Sequence, residues 1–146
     1  MNIKELEDRI IRHEGMVRSV YNDHLGNPTI GVGHLITPDD NFKRDEVYGE
    51  DELRALFRKD LNRSIAGAER ILKGCPHICE MAREIIVEMV FQLGESGTKK
   101  FRKANAALRQ NPSSYSECAN QMLDSRWAKQ TPNRAKELSE LMRGCT

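Results

Sequence analysis

Two carboxylates near the N-terminus have the residue types that acid–base chemistry needs. Leu6 and Ile10 are four residues apart in a helical pattern, and the next position on the same stripe is Glu14. Partial burial and the negative end of the helix dipole both disfavour a charged carboxylate there. Asp23 lies in a polar turn, where a carboxylate stays solvated and ionised. A protonated acid paired with an ionised carboxylate is the combination that glycoside hydrolysis uses.

Each carboxylate also has a simpler interpretation. Glu14 directly precedes Gly15, so a frayed helix end would leave its side chain in water, and exposed glutamates are far commoner than tuned ones. Turns recruit aspartate for local hydrogen bonds, which makes Asp23 by itself a weak signal. Whether Glu14 and Asp23 form a catalytic pair or are two unrelated surface groups therefore depends on the residues around them.

The segment 29–34 has one face without large side chains. If it is a single strand, Thr29, Gly31 and Gly33 lie on one side and apolar groups are buried on the other. The glycine side then allows a ligand or a backbone to approach closely. Tight packing against a neighbouring element explains the glycines nearly as well, but it does not explain why Thr29 would converge with the two carboxylates.

Helix and strand patterns position these groups. Asn2 is predicted to cap a first helix that ends at Gly15. Short strands over 17–21 and 29–34 flank the turn at 23–27. Further helices are predicted over about 50–73, 79–93, 98–109, 113–123 and 131–142, the last with Thr131 as N-cap and Pro132 in its first position.

This order of elements predicts an α+β fold with two lobes. Residues 1–49 form a small N-terminal lobe with the candidate catalytic residues and a β-hairpin, 50–73 an inter-lobe helix, and 74–146 an all-α lobe. We expect the active site in the cleft between the lobes.

Composition narrows the class of protein. With 38% hydrophobic and 31% charged residues, the chain of 146 residues is typical of a folded globular protein. Its net charge of +1 lacks the basic excess of a nucleic-acid binder of this size. No apolar signal segment opens the chain, so we expect the protein to remain at first in a cytoplasm, with its four cysteines as free thiols.

Three other features have competing interpretations. Cys75 and Cys79 flank His77 and suggest a metal, but a structural zinc takes four ligands, so we favour a tight turn with buried thiols and expect no metal site. Trp127, the single tryptophan, is either a sugar-stacking platform or, as we prefer, part of the core. The basic cluster 99–103 is interpreted as a solvated helix face, with acidic groups of a cell wall or lipids as the alternative partner.

Five stretches of the chain resemble the T-even type of the phage lysozyme (endolysin) family of glycoside hydrolases. They are HEG at 13–15, YND at 21–23, TIGVGHLIT at 29–37, MVFQLGESG at 89–97 and SRWAKQTPNRAKEL at 125–138. Their order and approximate spacing hold across almost the whole chain, and the last block is long and chemically arbitrary. The resemblance implies the two-lobed lysozyme fold and a muramidase that hydrolyses the β-1,4 bond between N-acetylmuramic acid and N-acetylglucosamine in bacterial peptidoglycan.

The resemblance also assigns roles to individual residues. Glu14 matches the catalytic proton donor, Asp23 the second catalytic carboxylate, and Thr29 the residue that helps to hold the attacking water. Arg134 matches an arginine that pairs with the catalytic glutamate. The family inverts the anomeric configuration, which implies carboxylates about 6.5–9.5 Å apart with room for water.

Further positions are implied outside the catalytic group. His34 and Asp60 match a buried histidine–aspartate ion pair, and Asp60 lies on the apolar side of the long helix, where it needs a partner. The chain departs from the family where a cleft serine falls on Ala104 and a cleft asparagine on Gln121, and its segment 36–49 is short. The positions matched to substrate contacts are Leu35, Phe91, Gln92 and Gln121.

The resemblance finally implies a role in lysis of a host cell. A monomer would act on peptidoglycan glycan strands without metal or cofactor, without nucleic acid and without stable membrane association. It would accumulate in the cytoplasm of an infected bacterium and reach the periplasm and cell wall after another protein permeabilises the membrane. The alternatives are a catalytically silent glycan-binding module on the same fold, a transglycosylase with a lone glutamate, and, more distantly, a helical nucleic-acid-binding domain.

Overall fold

The computed structural model describes residues 1–146. It contains seven helices and one three-stranded antiparallel sheet, which confirms the predicted α+β class with a β-hairpin region and a helical region. Backbone contacts divide the chain into two compact units, Ile3–Arg63 and Ser64–Thr146, with Met1–Asn2 belonging to the latter. No helix combines the length and the apolar character needed to cross a bilayer.

The unit Ile3–Arg63 packs two helices with the sheet. The side chains of its core recur at helical or strand spacing. The fully buried members of this core include Leu6, Ile10, Ile30 and Leu53. Gly15, with φ +80°, ends the first helix as predicted. The elements are α1 (Ile3–Glu14), β1 (Val17–Asn22), β2 (Pro28–Gly31), β3 (His34–Leu35) and α2 (Glu50–Ile71), which continues into the second unit.

The sheet has the order β1–β2–β3, and its middle strand is shorter than expected. Thr29 pairs with Tyr21 on one side and with Leu35 on the other. The prediction of one continuous strand over 29–34 is wrong beyond Gly31, because the chain turns at Val32–Gly33 and returns as β3. Left-handed backbone at Gly31 and Gly33 (φ +67° and +66°) makes this tight turn possible.

The unit Ser64–Thr146 is helical. The elements after α2 are α3 (Glu80–Lys99), α4 (Arg102–Arg109), α5 (Tyr115–Leu123), α6 (Arg126–Gln130) and α7 (Pro132–Arg143). Helix α5 packs against both α4 and α7, around fully buried Leu108, Met122 and Leu138. The helix predicted to close at Gly94 does leave helical geometry there (φ 78°, ψ 167°), but a second helical segment follows and ends at Lys99.

The start of α7 corrects a second detail. Pro132 occupies the first turn as predicted, since its fixed φ suits a helix start. Thr131 makes no side-chain cap, however, because its hydroxyl donates backwards to the carbonyl of Trp127 at 3.0 Å. That carbonyl belongs to α6, a helix of five residues that is too short to give a periodic signal in the sequence.

The cysteines form a disulfide that we did not expect. Cys79 and Cys145 are bonded, with their Cα atoms 6.1 Å apart, whereas Cys75 and Cys118 are free and buried. The prediction of four free thiols is therefore wrong for this pair. The end of α7 meets the start of α3 across a separation of 66 residues, which the spacing of cysteines in the sequence does not reveal. Burial raises the pKa of the Cys118 thiol to about 12.

Candidate active site

Glu14 is the last residue of α1, and its carboxyl group packs on the turn between β2 and β3. A Cβ placed on Gly33 would stand only 2.9 Å from Glu14 Oε2, closer than real side chains approach. The glycine face of segment 29–34 was predicted to admit a ligand or backbone. At Gly33 the group that approaches is the half-buried carboxyl of Glu14. At Gly31 it is the side chain of Leu53, whose Cδ2 would lie 3.6 Å from a Cβ placed on this glycine.

Asp23 is held by its own turn. Its Oδ1 accepts hydrogen bonds from the backbone N–H groups of Asn27 at 2.8 Å and Leu25 at 2.9 Å. The backbone N–H of Asn27, then that of Leu25 and the Asn27 side chain, outweigh a partial desolvation and lower the pKa of Asp23. Asp23 therefore makes the local hydrogen bonds that are typical of an aspartate in a turn. The same hydrogen bonds keep its carboxylate ionised, as its polar setting predicted.

Thr29 lies next to this turn in the middle strand. Its side chain is buried, and its Oγ1 donates a hydrogen bond to the carbonyl of Asn27 at 2.9 Å. The same carbonyl accepts from the backbone N–H of Asp23, also at 2.9 Å. Asn27 therefore connects Asp23 with Thr29. The sequence predicts Asn27 only as a turn residue, although its position directly before Pro28 is a signal for a fixed loop geometry.

Tyr21 relates the two carboxylates to one another. Burial of its hydroxyl raises the pKa of Tyr21 first, and the negative charges of Glu14 and of Asp23 raise it further. The tyrosine is thus within electrostatic reach of both carboxylates. We did not single out Tyr21 in the sequence, although it is the first residue of the YND stretch.

His34 lies between two aspartates. Its Nδ1 is 2.7 Å from Oδ2 of Asp60, the partner that the resemblance implies, and its Nε2 is 2.8 Å from Oδ2 of Asp40. Burial by itself would lower the pKa of His34, but the hydrogen bonds and charges of Asp40 and Asp60 outweigh it and raise that pKa. Asp40 was not predicted from the sequence. Its carboxylate also accepts a hydrogen bond from the backbone N–H of Thr37 at 2.7 Å and so fixes the short segment after β3.

Arg134 is buried in the helical unit. Its Nε donates to Oε2 of Glu88 at 2.9 Å, and Glu88 is fully buried on α3. The apolar run 85–91 predicts a core helix. Glu88, the single carboxylate inside it, was not predicted as a site residue, although a lone charge in such a run is a signal for a buried partner. Pairing of Arg134 with Glu14 stays a prediction.

The predicted substrate-contact residues have different surroundings. Leu35 on β3 is 54% exposed. Phe91 and Gln92 are half-buried on α3, and Gln92 Oε1 accepts the indole N–H of Trp127 at 2.8 Å. Trp127 is buried and meets Phe101 edge to face with ring centroids 5.8 Å apart, as expected for a core residue.

Gln121 lines a pocket of about 550 Å³ in the helical unit. The departing residue Ala104 lies in the same pocket, as does Trp127, whereas Phe91 and Gln92 do not line it. The side-chain amide of Gln121 donates to Oε1 of Glu117 at 2.8 Å. Four cations surround the pocket: Lys100, Arg102, Lys103 and Arg126.

The α+β fold, with a helix-end glutamate and a turn-held aspartate around one tyrosine, is of the kind found in lysozyme-type glycosidases. Comparison with known proteins agrees. The family model described as phage lysozyme matches residues 11–143. Two relatives from Dictyostelium discoideum, probable T4-type lysozymes 2 and 1, are 27% and 28% identical to the chain, each over 93% of it and 92% of the relative.

The chain belongs to the phage lysozyme family. It is a lysozyme, and therefore a glycosidase, of a family that acts on peptidoglycan.

Proposed function

We propose that this lysozyme hydrolyses the β-1,4 bond between N-acetylmuramic acid and N-acetylglucosamine by an inverting general acid–base mechanism. Glu14 is the acid, and Asp23 acts with Thr29 on the attacking water. The observation that carries the proposal is that the Glu14 carboxyl packs on the turn between β2 and β3, while Asp23 is joined through Asn27 to Thr29 on β2. Both carboxylates therefore lie beside one small sheet, and a pair of carboxylates serving one bond has to face a common space.

The reaction moves one proton at each side of the sugar. Glu14 gives its proton to the glycosidic oxygen while the bond from that oxygen to the anomeric carbon breaks. A water attacks the anomeric carbon from the opposite face and passes its proton to the ionised carboxylate of Asp23. The Thr29 hydroxyl already donates to the Asn27 carbonyl, so towards this water it acts as an acceptor.

Substrate contacts extend the proposal beyond the reacting groups. Leu35 pairs with Thr29 across β2 and β3, and its exposed side chain offers an apolar surface beside the reacting sugar. In the helical unit, Gln121 offers a polar contact in the pocket it lines. Phe91 and Gln92 complete the proposed set, with Gln92 also positioned by Trp127. The biological role we propose is lysis of a bacterial host from within, after the membrane has been permeabilised.

Two other functions compete with hydrolysis. A silent glycan-binding module needs no ionised aspartate next to a buried threonine hydroxyl. A transglycosylase closes an anhydro ring with its single glutamate and has no use for a carboxylate that takes a proton from water. The turn that holds Asp23 ionised and joins it to Thr29 through Asn27 therefore favours hydrolysis.

The decisive experiment measures reducing ends released from purified peptidoglycan. Wild type is compared with Glu14→Gln, Asp23→Asn and the control Glu140→Gln, which makes the same chemical change at an exposed position of α7. We expect activity in the wild type and the control only, with all four proteins folded, and first-formed products of inverted configuration by NMR. A folded Glu14→Gln with near-normal turnover contradicts the mechanism, an anhydro product by mass spectrometry supports the transglycosylase, and wall binding without release supports the silent module.

A further inference from the structure

We propose that a basic groove in the helical unit binds an anionic phosphodiester polymer of the bacterial envelope. The basic groove is formed by Arg70, Lys99, Arg102 and Arg109, and it encloses about 370 Å³ between the end of α2 and α4. The inference rests on the proposed function only in that the envelope is where such an enzyme works. The proposed role of the basic groove is binding, and the proposed catalytic step does not depend on it.

The charge of the chain is unevenly distributed. Residues 96–116 contain five basic residues and no acidic one, whereas the rest of the chain has 18 basic and 22 acidic residues. The overall charge of +1 therefore conceals a cationic segment on an otherwise acidic molecule. Such a segment attracts polyanions even when the net charge does not.

Two of the four cations of the basic groove, Arg102 and Arg109, lie on one face of α4. Arg102, Asn105 and Arg109 follow the helical spacing of three and four residues on α4, and the two arginines are separated by two turns, about 10 Å. The guanidinium of Arg109 donates to the carbonyl of Lys73 at 3.0 Å and to that of Ile71, which fixes its position at the end of α2. Two guanidinium-bearing positions two turns apart on one helix face suit an anion that repeats along a chain better than one small ion.

One carboxylate beside the basic groove is already engaged. Glu95 accepts from Nη2 of Arg70 at 2.6 Å and lies 3.1 Å from Nζ of Lys99. These hydrogen bonds with Arg70 and Lys99 lower the pKa of Glu95 to about 2, so it stays ionised and orients both cations. Three positive charges of the four are left over for a ligand.

The other side chains of the basic groove indicate which kind of polyanion it can bind: a nucleic acid, a lipid surface or a polymer without bases and acyl chains. It has no aromatic residue on which a nucleic-acid base would stack, and stacking provides much of the binding to single strands. None of the exposed large hydrophobic residues lies in it, so it lacks the apolar anchors of a surface that enters a lipid interface. A polymer of phosphodiesters without bases or acyl chains fits both properties, and guanidinium groups pair well with its oxygen atoms.

The test compares binding to cell walls before and after removal of the phosphodiester polymer. Hydrofluoric acid cleaves phosphodiesters and leaves the peptidoglycan glycan in place. The groove variant is Arg70→Gln/Lys99→Gln, which changes two exposed residues that do not line the pocket of Gln121. The matched control Lys129→Gln/Lys136→Gln loses the same charge at exposed positions outside the basic groove. Co-sedimentation at low and high salt gives the dissociation constant for each protein and each wall.

On intact walls we expect the groove variant to bind about tenfold more weakly at low salt, with a salt slope lower by about 1.4. The control variant should match the wild type. On acid-treated walls all three proteins should bind alike. Equal binding of groove and control variants to intact walls would overturn the proposal, and so would an equal loss on acid-treated walls, since the partner would then be peptidoglycan itself.

Competition with soluble polyanions shows which kind of anionic polymer the basic groove binds. Poly(glycerol phosphate) should displace the wild type from intact walls, whereas polyglutamate or a DNA strand of equal charge should displace it much less. Better displacement by DNA would instead assign the basic groove to nucleic acid. Reducing-end release from acid-treated walls is measured in parallel. Its absence would reject the proposed hydrolysis while the binding results still decide on the basic groove.

Discussion

The carboxyl group of Glu14 occupies the space that a side chain on Gly33 would need, with Oε2 only 2.9 Å from the position of a Cβ atom. The end of α1 and the turn between β2 and β3 therefore meet without any intervening group. Gly33 also has a φ of +66°, which residues with a side chain rarely adopt. The position of the proposed acid is thus determined by the absence of a single methyl group.

Gly33→Ala should consequently displace Glu14 and lower the rate of hydrolysis by about 100-fold, because a shift of 1 Å in a reacting group costs that much. Backbone strain should destabilise the protein by about 1 kcal/mol in addition. Gly74→Ala is the control, since its φ of +86° imposes similar strain while its nearest neighbour is 4.0 Å away. Equal activity of the two variants would show that Gly33 does not position the carboxyl.

Asp60→Asn should lower the free energy of unfolding by about 1–3 kcal/mol, because it replaces a charged partner of the largely buried His34. Denaturant titration near pH 6 measures this. Asp40→Asn should have an effect of the same sign, and the double variant should lose less than the sum because both aspartates bind one ring. An unchanged free energy of unfolding in Asp60→Asn would refute the importance of the pair.

The same cluster predicts how stability depends on pH. The pKa of His34 is raised on folding, so its contribution is complete below the unfolded value of about 6.5 and is lost as the pH rises through the folded pKa. The pKa of Asp40 is lowered despite its burial, by Thr37 and His34, so its contribution is present above about pH 4 and is lost as the pH falls through the folded pKa.

The stability difference between wild type and His34→Gln should therefore be largest between about pH 4 and 6.5 and shrink towards pH 9. Unfolding in urea at each pH gives this difference. A difference that grows with rising pH would mean that the folded state holds a neutral imidazole.

Glu88→Gln should destabilise the helical unit by about 3 kcal/mol, because it leaves the buried guanidinium of Arg134 without its charged acceptor at Nε. Replacing both residues with leucine should restore much of this loss, since two buried charges are removed together. The free energy of unfolding of the three proteins tests the pair. A double variant less stable than Glu88→Gln would contradict this explanation.

Regular elements were predictable where one periodic signal dominated. The stripe of Leu6, Ile10 and Glu14 defined α1, and glycine ended it where predicted. The apolar spacing along α2 gave its start at Glu50 and placed its end within two residues. The prediction for segment 29–34 was wrong because the alternation of side chains is the same whether a strand continues or folds back, and only the left-handed backbone of Gly31 and Gly33 distinguishes the two.

Asp40, Glu88 and Asn27 were not predicted, because their contacts follow no periodic pattern in the sequence. Asp40 reaches His34 from a loop with no periodicity, and Glu88 meets Arg134 across 46 positions. Asn27 binds Asp23 and Thr29 through its backbone N–H and carbonyl groups, and such backbone contacts cannot be predicted from the type of its side chain. The type and spacing of residues nominated the proposed catalytic carboxylates. The contacts of Asp23 with Asn27 and of Glu14 with the turn at Gly33 became visible only in three dimensions.

The disulfide between Cys79 and Cys145 makes a covalent ring of most of the helical unit. The exposed connection between α4 and α5, around Asn111 and Pro112, lies inside this ring. A protease that cuts there opens the ring but releases nothing, and the two pieces separate on a gel only after reduction. A cut in the exposed segment before α2 has no such tether. As long as the surroundings are oxidising, the helical unit thus survives as one molecule after a nick that would divide a linear chain.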